Sequence, residues 1–491
     1  MSSNASRKID APVEPRAAIA SGLGAKAAGL LAIVAMLLAA CVRFSDLGNY
    51  SLWIDEAFSI SDATSRLEVE GESGIENPIS YHVVRWGIDL FGRDEWGARV
   101  LPCAIGVLSV GVLCAWLACR LGAFAAICGS LLLSISPWHH FLSQSVRYYT
   151  LNLLVCLVAG IAFEAWLRTR RALPVLLCLA MIALGSQVHA SSLIFVAGLG
   201  FAVALQLCIV PRARSTKPWR SPLTWFAAAA LLGITWIAYQ DAAWYLQQKG
   251  RFSTPVYLGN LAFYGGPVFW LAIGFAAWRA LRGRKPFPLF LVGAASGTLI
   301  CGGALSLLVT VNHQYVVSAL PFLIASLAWL CAETWKSGAR GAALALLALP
   351  AAEGLAMQAL YRSSFGGFRA EWRAAAALLL ERLEPGDLVA SNRATILEHY
   401  LAPNATNLRD PRRVLLLGHF NHELLLELMQ HPGRVWYLVG EDGSATWDAV
   451  DRESFEWHVR TRCRHFASFP RRIGTKELGI EIWLQEPRGS R

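Results

Sequence analysis

Apolar stretches of about 20 residues recur along most of the chain, and they constrain its fold more than any other feature. A helix needs ~20 mostly apolar residues to cross a bilayer. The composition agrees with a membrane protein, because 55% of the 491 residues are hydrophobic and only 16% are charged. Eleven stretches are predicted to span a membrane: 26–43, 97–119, 121–136, 150–167, 172–188, 190–210, 222–240, 257–278, 287–310, 315–334 and 341–360.

Basic residues lie in short clusters between these stretches, and their placement predicts the orientation. Positive residues in short loops stay on the cytoplasmic side. With eleven spans and a cytoplasmic leader at 1–25, every cluster falls in the cytoplasm, whereas a further span at 77–92 would move the later clusters outside. The stretch 77–92 is therefore predicted to be an amphipathic helix on the outer membrane surface. The net charge of +10 thus reflects topology, and no nucleic-acid partner is indicated.

The same orientation divides the chain into a transmembrane domain, 26–360, with an outer loop at 44–96, and an extracytoplasmic region, 361–491. In the latter, helical segments alternate with strand segments such as DLVAS, RVWYLVG and GIEIWL, which predicts a small α/β domain. The chain has no eukaryotic retention signal and is rich in alanine and arginine, which favours a bacterial inner membrane.

The outer loop contains SLWIDEAFS, in which Asp55 and Glu56 stand side by side between Trp53 and Phe58. Most adjacent carboxylates are solvated loop residues or helix caps. Here the pair lies next to the membrane between large apolar side chains, and an arginine lies on the same outer side, so a functional role is favoured over that simpler interpretation.

That arginine is Arg147, in the outer loop SPWHHFLSQSVRYYTL. Its guanidinium can hold a pair of phosphate oxygens. A boundary arginine can also extend to lipid head groups, and this alternative stays open. A carboxylate and an arginine on one outer surface suit a reaction in which a hydroxyl is deprotonated while a phosphate leaves.

These two segments, together with NPISYHVVRWGIDLFGRDEWGARVLP and NHQYVVSALPFLIASLA, resemble in their order the membrane glycosyltransferases of the GT-C fold. The branch they most resemble is glycosyltransferase family 39, which contains protein O-mannosyltransferases and the aminoarabinose and galacturonic acid transferases of lipopolysaccharide. The resemblance covers about residues 26–335. The chain departs from the family at 77–79, where members often have His-Pro-Pro, and at 145–146, where an acidic residue or alanine is common.

The resemblance implies inverting transfer of a sugar from a polyprenyl-phosphate donor to a hydroxyl of a glycolipid, glycan or protein on the outer face. It implies that Asp55 is the general base, that Glu56 positions the acceptor or holds Asp55, and that Arg147 stabilises the leaving phosphate. Further candidates for the donor phosphate are Tyr148, Lys249 and Arg251, and for the substrate His139, His313, Tyr315 and Asn77. An interfacial role, in which the residue anchors a helix end, also suits Lys249, Arg251, His139, His313 and Tyr315.

The sequence requires no metal, because no outer loop has a DxD pair. The spaced acids between Asp62 and Glu76 still offer oxygen ligands for Mg or Mn. Two other functions stay open. A transporter or flippase for a lipid-linked sugar needs charged or broken helices at mid-membrane, and a scaffold of glycan assembly would act through its outer domain. Glu353, deep in a predicted span, has no explanation from the sequence.

Overall fold

The computed structural model describes residues 24–66, 78–210, 252–401, 415–416, 422–441, 449–473 and 476–487. Helices dominate it as far as residue 363. In chain order they are α1 (Ala25–Phe44), α2 (Ile54–Ser61), α3 (Pro78–Phe91), α4 (Glu95–Leu121), α5 (Ala123–Ile135), α6 (Pro137–Ser143), α7 (Tyr149–Thr169), α8 (Ala172–Val188), α9 (Ser192–Ile209), α10 (Thr254–Gly265), α11 (Pro267–Gly283), α12 (Pro286–Leu305), α13 (Leu320–Lys336) and α14 (Arg340–Ser363).

Seven of the described helical segments are long and apolar enough to cross a membrane. They are α1, α4, α7, α9, α12, α13 with the 3₁₀ turn before it, and α14. The predicted spans 121–136 and 172–188 are the shorter apolar helices α5 and α8, and the predicted span 222–240 lies outside the described residues. The prediction of a polytopic helical membrane protein is confirmed.

The predicted span 257–278 is not one straight helix, because α10 and α11 meet at an angle of 94°. Gly266 has a backbone φ of 79°, which residues other than glycine rarely adopt. Pro267 then begins the second helix. The Glu353 carboxylate of α14 accepts hydrogen bonds from the N–H groups of Val268 (3.1 Å) and Phe269 (2.9 Å). Pro267 has no N–H and the Gly266 N–H donates to the Ala262 carbonyl, so Glu353 accepts from the two N–H groups that the start of α11 otherwise leaves unpaired. Its place in a membrane span is thereby explained.

We expect Glu353→Ala to lower the free energy of unfolding by about 2 kcal/mol, since two N–H groups lose a charged acceptor where little water can replace it. Thermal unfolding in detergent measures the effect. Glu333→Ala is the control, because Glu333 pairs with Lys285 in an exposed bridge that contributes about 1 kcal/mol or less. Equal losses in both variants would contradict the capping role.

The amphipathic helix predicted at 77–92 is present as α3, which packs on α4 and leaves Trp86 and Leu90 exposed. Large apolar residues thus stay exposed on one side of α3, as expected for a helix that lies on a membrane surface. The inner side of α3 contributes Tyr81 and Val84 to a cluster beneath α2. The helix therefore forms one wall of the loop at 44–96, which is predicted to lie on the outer side.

After α14 the described chain forms a mixed five-stranded sheet in the order β2-β1-β3-β7-β4, next to a two-stranded ribbon, β5-β6. Strands β1, β2 and β3 run parallel, whereas β7 is antiparallel to β3 and β4. The elements are α15 (Trp372–Leu380), β1 (Leu388–Ser391), α16 (Ala394–Leu401), β2 (Leu415–Leu416), α17 (His422–Gln430), β3 (Val435–Gly440), α18 (Ala449–Arg462), β4 (Cys463–Phe469), β5 (Arg472–Ile473), β6 (Lys476–Glu477) and β7 (Ile480–Gln485).

The central strand β3 is buried on both faces. Trp436 and Leu438 pack with α15 and α16, whereas Tyr437 and Val439 pack with α18. This alternation is expected for a strand between two helical layers. The small α/β region predicted from the sequence is confirmed, although neither α18 nor β4 was expected.

The C-terminal region holds the outer loop through polar contacts. The Leu52 N–H donates to the Tyr400 hydroxyl (2.7 Å), and that hydroxyl donates to Glu95 (2.8 Å). Arg373 pairs with the same Glu95 carboxylate (2.6 Å) and donates to the Gly48 carbonyl (2.7 Å). Both ends of the segment that carries α2 are therefore fixed by residues of α15 and α16.

Candidate active site

Asp55 and Glu56 occupy the first turn of α2, and the helix gives them different surroundings. Consecutive residues of an α-helix project about 100° apart. The Asp55 side chain is 30% exposed, whereas that of Glu56 is completely buried. The Glu56 carboxylate also accepts the Trp53 N–H (3.3 Å), which caps the helix. Only Asp55 is thus open to a substrate.

Glu56 is the centre of a buried charge network. Arg99 of α4 donates to both carboxylate oxygens at 2.8 Å, and Arg369 donates to one of them at 3.1 Å. The Val146 N–H donates to the other at 2.9 Å. Burial alone would raise the pKa of Glu56, but Arg369 and Arg99 lower it to about 2. Glu56 therefore stays ionised and is fully engaged within the protein.

We expect Glu56→Gln to lower the free energy of unfolding by about 3–5 kcal/mol, because Arg99 and Arg369 would stay buried without a counter-charge. The pH dependence follows from the sign of the shift. Folding lowers the pKa of Glu56 from 4.5 to about 2, so its contribution is complete above about pH 4.5 and is lost as the pH falls through 2.

Chemical unfolding at a series of pH values measures both effects. The wild type should lose stability between about pH 4.5 and pH 2, and Glu56→Gln should show less of that loss. Glu477→Gln is the control, since Glu477 pairs with Arg472 in an exposed bridge. An equal acid loss in wild type and Glu56→Gln would refute the assignment.

Arg147 lies beside Asp55. Its Nη2 is 3.9 Å from Asp55 Oδ2, and its Nη1 donates to the Ser59 hydroxyl (3.0 Å). The guanidinium lies over the rings of Tyr148 (4.9 Å) and Tyr149 (5.8 Å), and the side chain is 15% exposed. Burial alone would lower the pKa of Arg147, but Tyr149 and Asp55 raise it above its usual value, so the charge is kept. The two residues singled out from the sequence are thus neighbours.

Tyr81 lies close enough to both Arg147 and Asp62 for each to influence its pKa. Burial raises the pKa of Tyr81, so its hydroxyl keeps its proton at neutral pH. Tyr81 was not identified as a site residue from the sequence, and Asp62 was considered only as one of the spaced acids that could bind Mg or Mn. The available signal was the position of Tyr81 in NPISYHVV, four residues after the candidate Asn77, which itself lies outside the described residues.

Tyr148 begins a stack of rings that extends away from Arg147. Its ring lies 3.9 Å from that of His189 at 12°, and His189 lies 5.5 Å from Tyr315 at 16°. The Ser191 N–H donates to His189 Nδ1 (3.1 Å), so the neutral ring carries its proton on Nε2. Two predicted residues, Tyr148 and Tyr315, are brought together by a histidine that the sequence did not single out for the site.

His139 and His313 are buried within the helices instead. Arg43 of α1 donates to the Leu133 carbonyl (2.8 Å) at the end of α5 and to His139 Nδ1 (2.5 Å). His313 stacks on Tyr264 at 3.9 Å. Neither ring reaches the surface that bears Asp55, because each is held by interior packing. The remaining candidates, Lys249 and Arg251, lie outside the described residues.

Within the described ranges, no three His, Cys, Asp or Glu side chains form a group able to hold a metal ion. Most of the acidic series between Asp62 and Glu76 lies beyond those ranges.

Comparison with solved structures identifies the architecture. ArnT from Cupriavidus metallidurans in the apo state has a TM-score of 0.59 at 15% sequence identity, covering 93% of this chain and 98% of that one. The chain has the GT-C fold. ArnT bound to undecaprenyl phosphate gives a TM-score of 0.55, also at 15% identity, over 92% of this chain and 97% of that one. No family model and no curated protein sequence matches the chain. The GT-C fold expected from the ordered motifs is therefore confirmed, and it covers nearly the whole protein.

Proposed function

We propose that this protein transfers a sugar, with inversion, from a polyprenyl-phosphate donor to a hydroxyl of an envelope acceptor on the outer face of a bacterial inner membrane. The main support for this proposal is that the partly exposed Asp55 carboxylate lies 3.9 Å from the Arg147 guanidinium. A base and a fixed cation so close together suit a step in which a proton is removed while a phosphate leaves. The solved structure of ArnT with undecaprenyl phosphate supports this donor class.

In the proposed step, the acceptor hydroxyl oxygen attacks the anomeric carbon and its proton passes to Asp55. The bond from that carbon to the phosphate oxygen breaks, and the electron pair stays on the polyprenyl phosphate. Arg147 stabilises this charge, because its guanidinium remains protonated and is oriented by Tyr148 and Ser59. The bond made and the bond broken lie on opposite faces of the sugar, which gives inversion.

Glu56 has a different role in this proposal. Its carboxylate already accepts from two arginines and two backbone N–H groups, so it has no free site for a substrate proton. Glu56 holds Asp55 in place. Lys249 and Arg251 are proposed as further donor-phosphate contacts, and Tyr315 and Asn77 as substrate contacts. His139 and His313, which the sequence suggested for the same role, are buried in the interior and are not proposed to contact the substrate.

Mass spectrometry of envelope glycans and lipid-linked sugars tests the function. Cells with the wild-type gene, without the gene, and with Asp55→Asn are compared. Loss of one sugar from one glycan in both defective strains, with accumulation of its polyprenyl-phosphate donor, supports the transferase. A glycan that changes in the deletion strain alone would overturn the proposed base.

A transporter for a lipid-linked sugar is the second candidate, because the break between α10 and α11 is a feature of many transporters. The Glu353 carboxylate at the break is already engaged in capping α11. The two candidates differ in one assay: a transporter moves labelled polyprenyl-phosphate sugar across proteoliposomes without an acceptor, whereas the transferase releases polyprenyl phosphate only when an acceptor is present.

A further inference from the structure

Arg369 lies in the connector between α14 and α15, outside the membrane spans, yet its side chain is completely buried. Besides Glu56, its guanidinium donates to the Gln144 carbonyl (2.7 Å) and to the hydroxyls of Ser145 (3.2 Å) and Tyr361 (3.1 Å). An arginine suits this place because its planar group presents five donors in a fixed geometry. Arg369 therefore joins the C-terminal connector to the loop that carries Arg147.

The backbone before Arg369 is held in an unusual conformation. Gly366, Gly367 and Phe368 have φ values of 49°, 66° and 62°. Phe368 is not a glycine, so this left-handed conformation is disfavoured for it and must be maintained by its surroundings. Its ring packs against Tyr361 at 4.9 Å. The strained turn directs Arg369 inward towards Glu56.

Glu56 connects Arg369 to both residues of the proposed reaction, Asp55 and Arg147. Asp55 is its chain neighbour, and the Val146 N–H that it accepts belongs to the chain neighbour of Arg147. One carboxylate thus fixes the backbone beside the proposed base and beside the proposed phosphate ligand. Arg99 ties Glu56 to α4 and the Val146 N–H ties it to the loop that carries Arg147, whereas Arg369 adds a side-chain link from Glu56 to that loop at 144–145.

We propose that Arg369 is a positioning residue for sugar transfer, which acts through Glu56 to set the placement of Asp55 relative to Arg147. This inference rests on the proposed function. It makes the connector to the C-terminal region part of the reaction centre, although Arg369 itself contacts no substrate.

The first experiment measures kcat against pH for full-length wild type and Arg369→Gln, with the polyprenyl-phosphate sugar that the wild type uses. We expect kcat to fall about 100-fold in the variant, the size expected when reacting groups are displaced by about 1 Å. The variant should also gain an ionisation on the acid side. Glu56 then faces Arg99 as its only remaining cationic partner among the described residues, so its pKa rises from about 2.

Two further variants separate positioning from simple loss of folding. Tyr361→Phe removes one hydroxyl that holds Arg369 and leaves Glu56 untouched, so a smaller fall in kcat is expected, together with normal folding. In a Glu56→Gln background, Arg369→Gln should have little additional effect, because the two act as one unit. Arg362→Gln is the control: Arg362 lies near the same connector but contacts Ser45 and Asp46, and its loss should leave kcat unchanged.

Hydrogen exchange of peptides spanning 53–60 and 144–148 supplies a readout that needs no activity. Arg369→Gln should speed exchange in both peptides, and Arg362→Gln in neither. If the wild type transfers no sugar, the proposed function fails, but hydrogen exchange still tests whether Arg369 holds Glu56 and the loop at 144–145 in place. If folded Arg369→Gln keeps the wild-type kcat, pH profile and exchange rates, the positioning role is overturned.

Discussion

Asp55→Asn should lower kcat about 1,000-fold, within the range that a positioned general base contributes. The amide keeps the size of the side chain and its place at 30% exposure, but it cannot take the acceptor proton. Donor binding should change little, because the substitution leaves Arg147 in place. Single-turnover assays with a radiolabelled polyprenyl-phosphate sugar measure the chemical step.

The matched control for this variant is Asp46→Asn. Asp46 lies in the same outer loop and pairs with Arg362 at 3.7 Å, in a contact that is more than a third exposed. Its loss should change kcat less than about twofold, as for most surface substitutions. A folded Asp55→Asn protein with wild-type kcat would exclude Asp55 as the base.

Arg147→Gln should reduce kcat by about 100- to 1,000-fold, the loss seen when a group that stabilises developing negative charge is removed. Arg147→Lys should recover little of this. Lysine restores the charge, but it lacks the planar fork that donates to Ser59 while lying over Tyr148. Steady-state kinetics with varied donor concentration separate a change in kcat from one in KM.

Arg168→Gln is the corresponding control, since the exposed Arg168 side chain pairs with Glu164 within α7, away from the outer loop. Its kinetics should match those of the wild type. The interpretation of Arg147 as a phosphate ligand would be contradicted if Arg147→Gln kept its kcat and lost only affinity for bulk anionic lipid, since that is the behaviour of an interfacial anchor.

The membrane spans could be predicted because hydropathy is a local property, which each helix carries in its own sequence. The break at Gly266 was missed for the same reason. A count of apolar residues treats 257–278 as continuous, whereas the bend depends on one φ angle and on Glu353 from a distant helix. Helix α18 was missed because its sequence is largely charged and polar.

In the candidate site, too, local sequence patterns could be interpreted, whereas contacts between distant residues could not. The motifs around Asp55 and Arg147 placed both residues on one side of the protein, and the structure brings them together. Glu56 looks equivalent to Asp55 in the sequence. The two side chains point in different directions only because they are consecutive residues of a helix. Its partners Arg99 and Arg369 lie 43 and 313 residues away, so no local pattern could have paired them.

The contact between Arg369 and Glu56 spans 313 residues and therefore sets the order in which the protein can mature. The ribosome makes Asp55 and Arg147 early, but Arg369 emerges only after α14, the last described helix able to span a membrane. Until then Glu56 lacks one of its two cationic partners, and closing so long a loop is slow compared with local helix formation. A nascent chain that is still being inserted thus lacks part of the buried network around Glu56, and the proposed sugar transfer is expected to begin only when the whole membrane domain is in place.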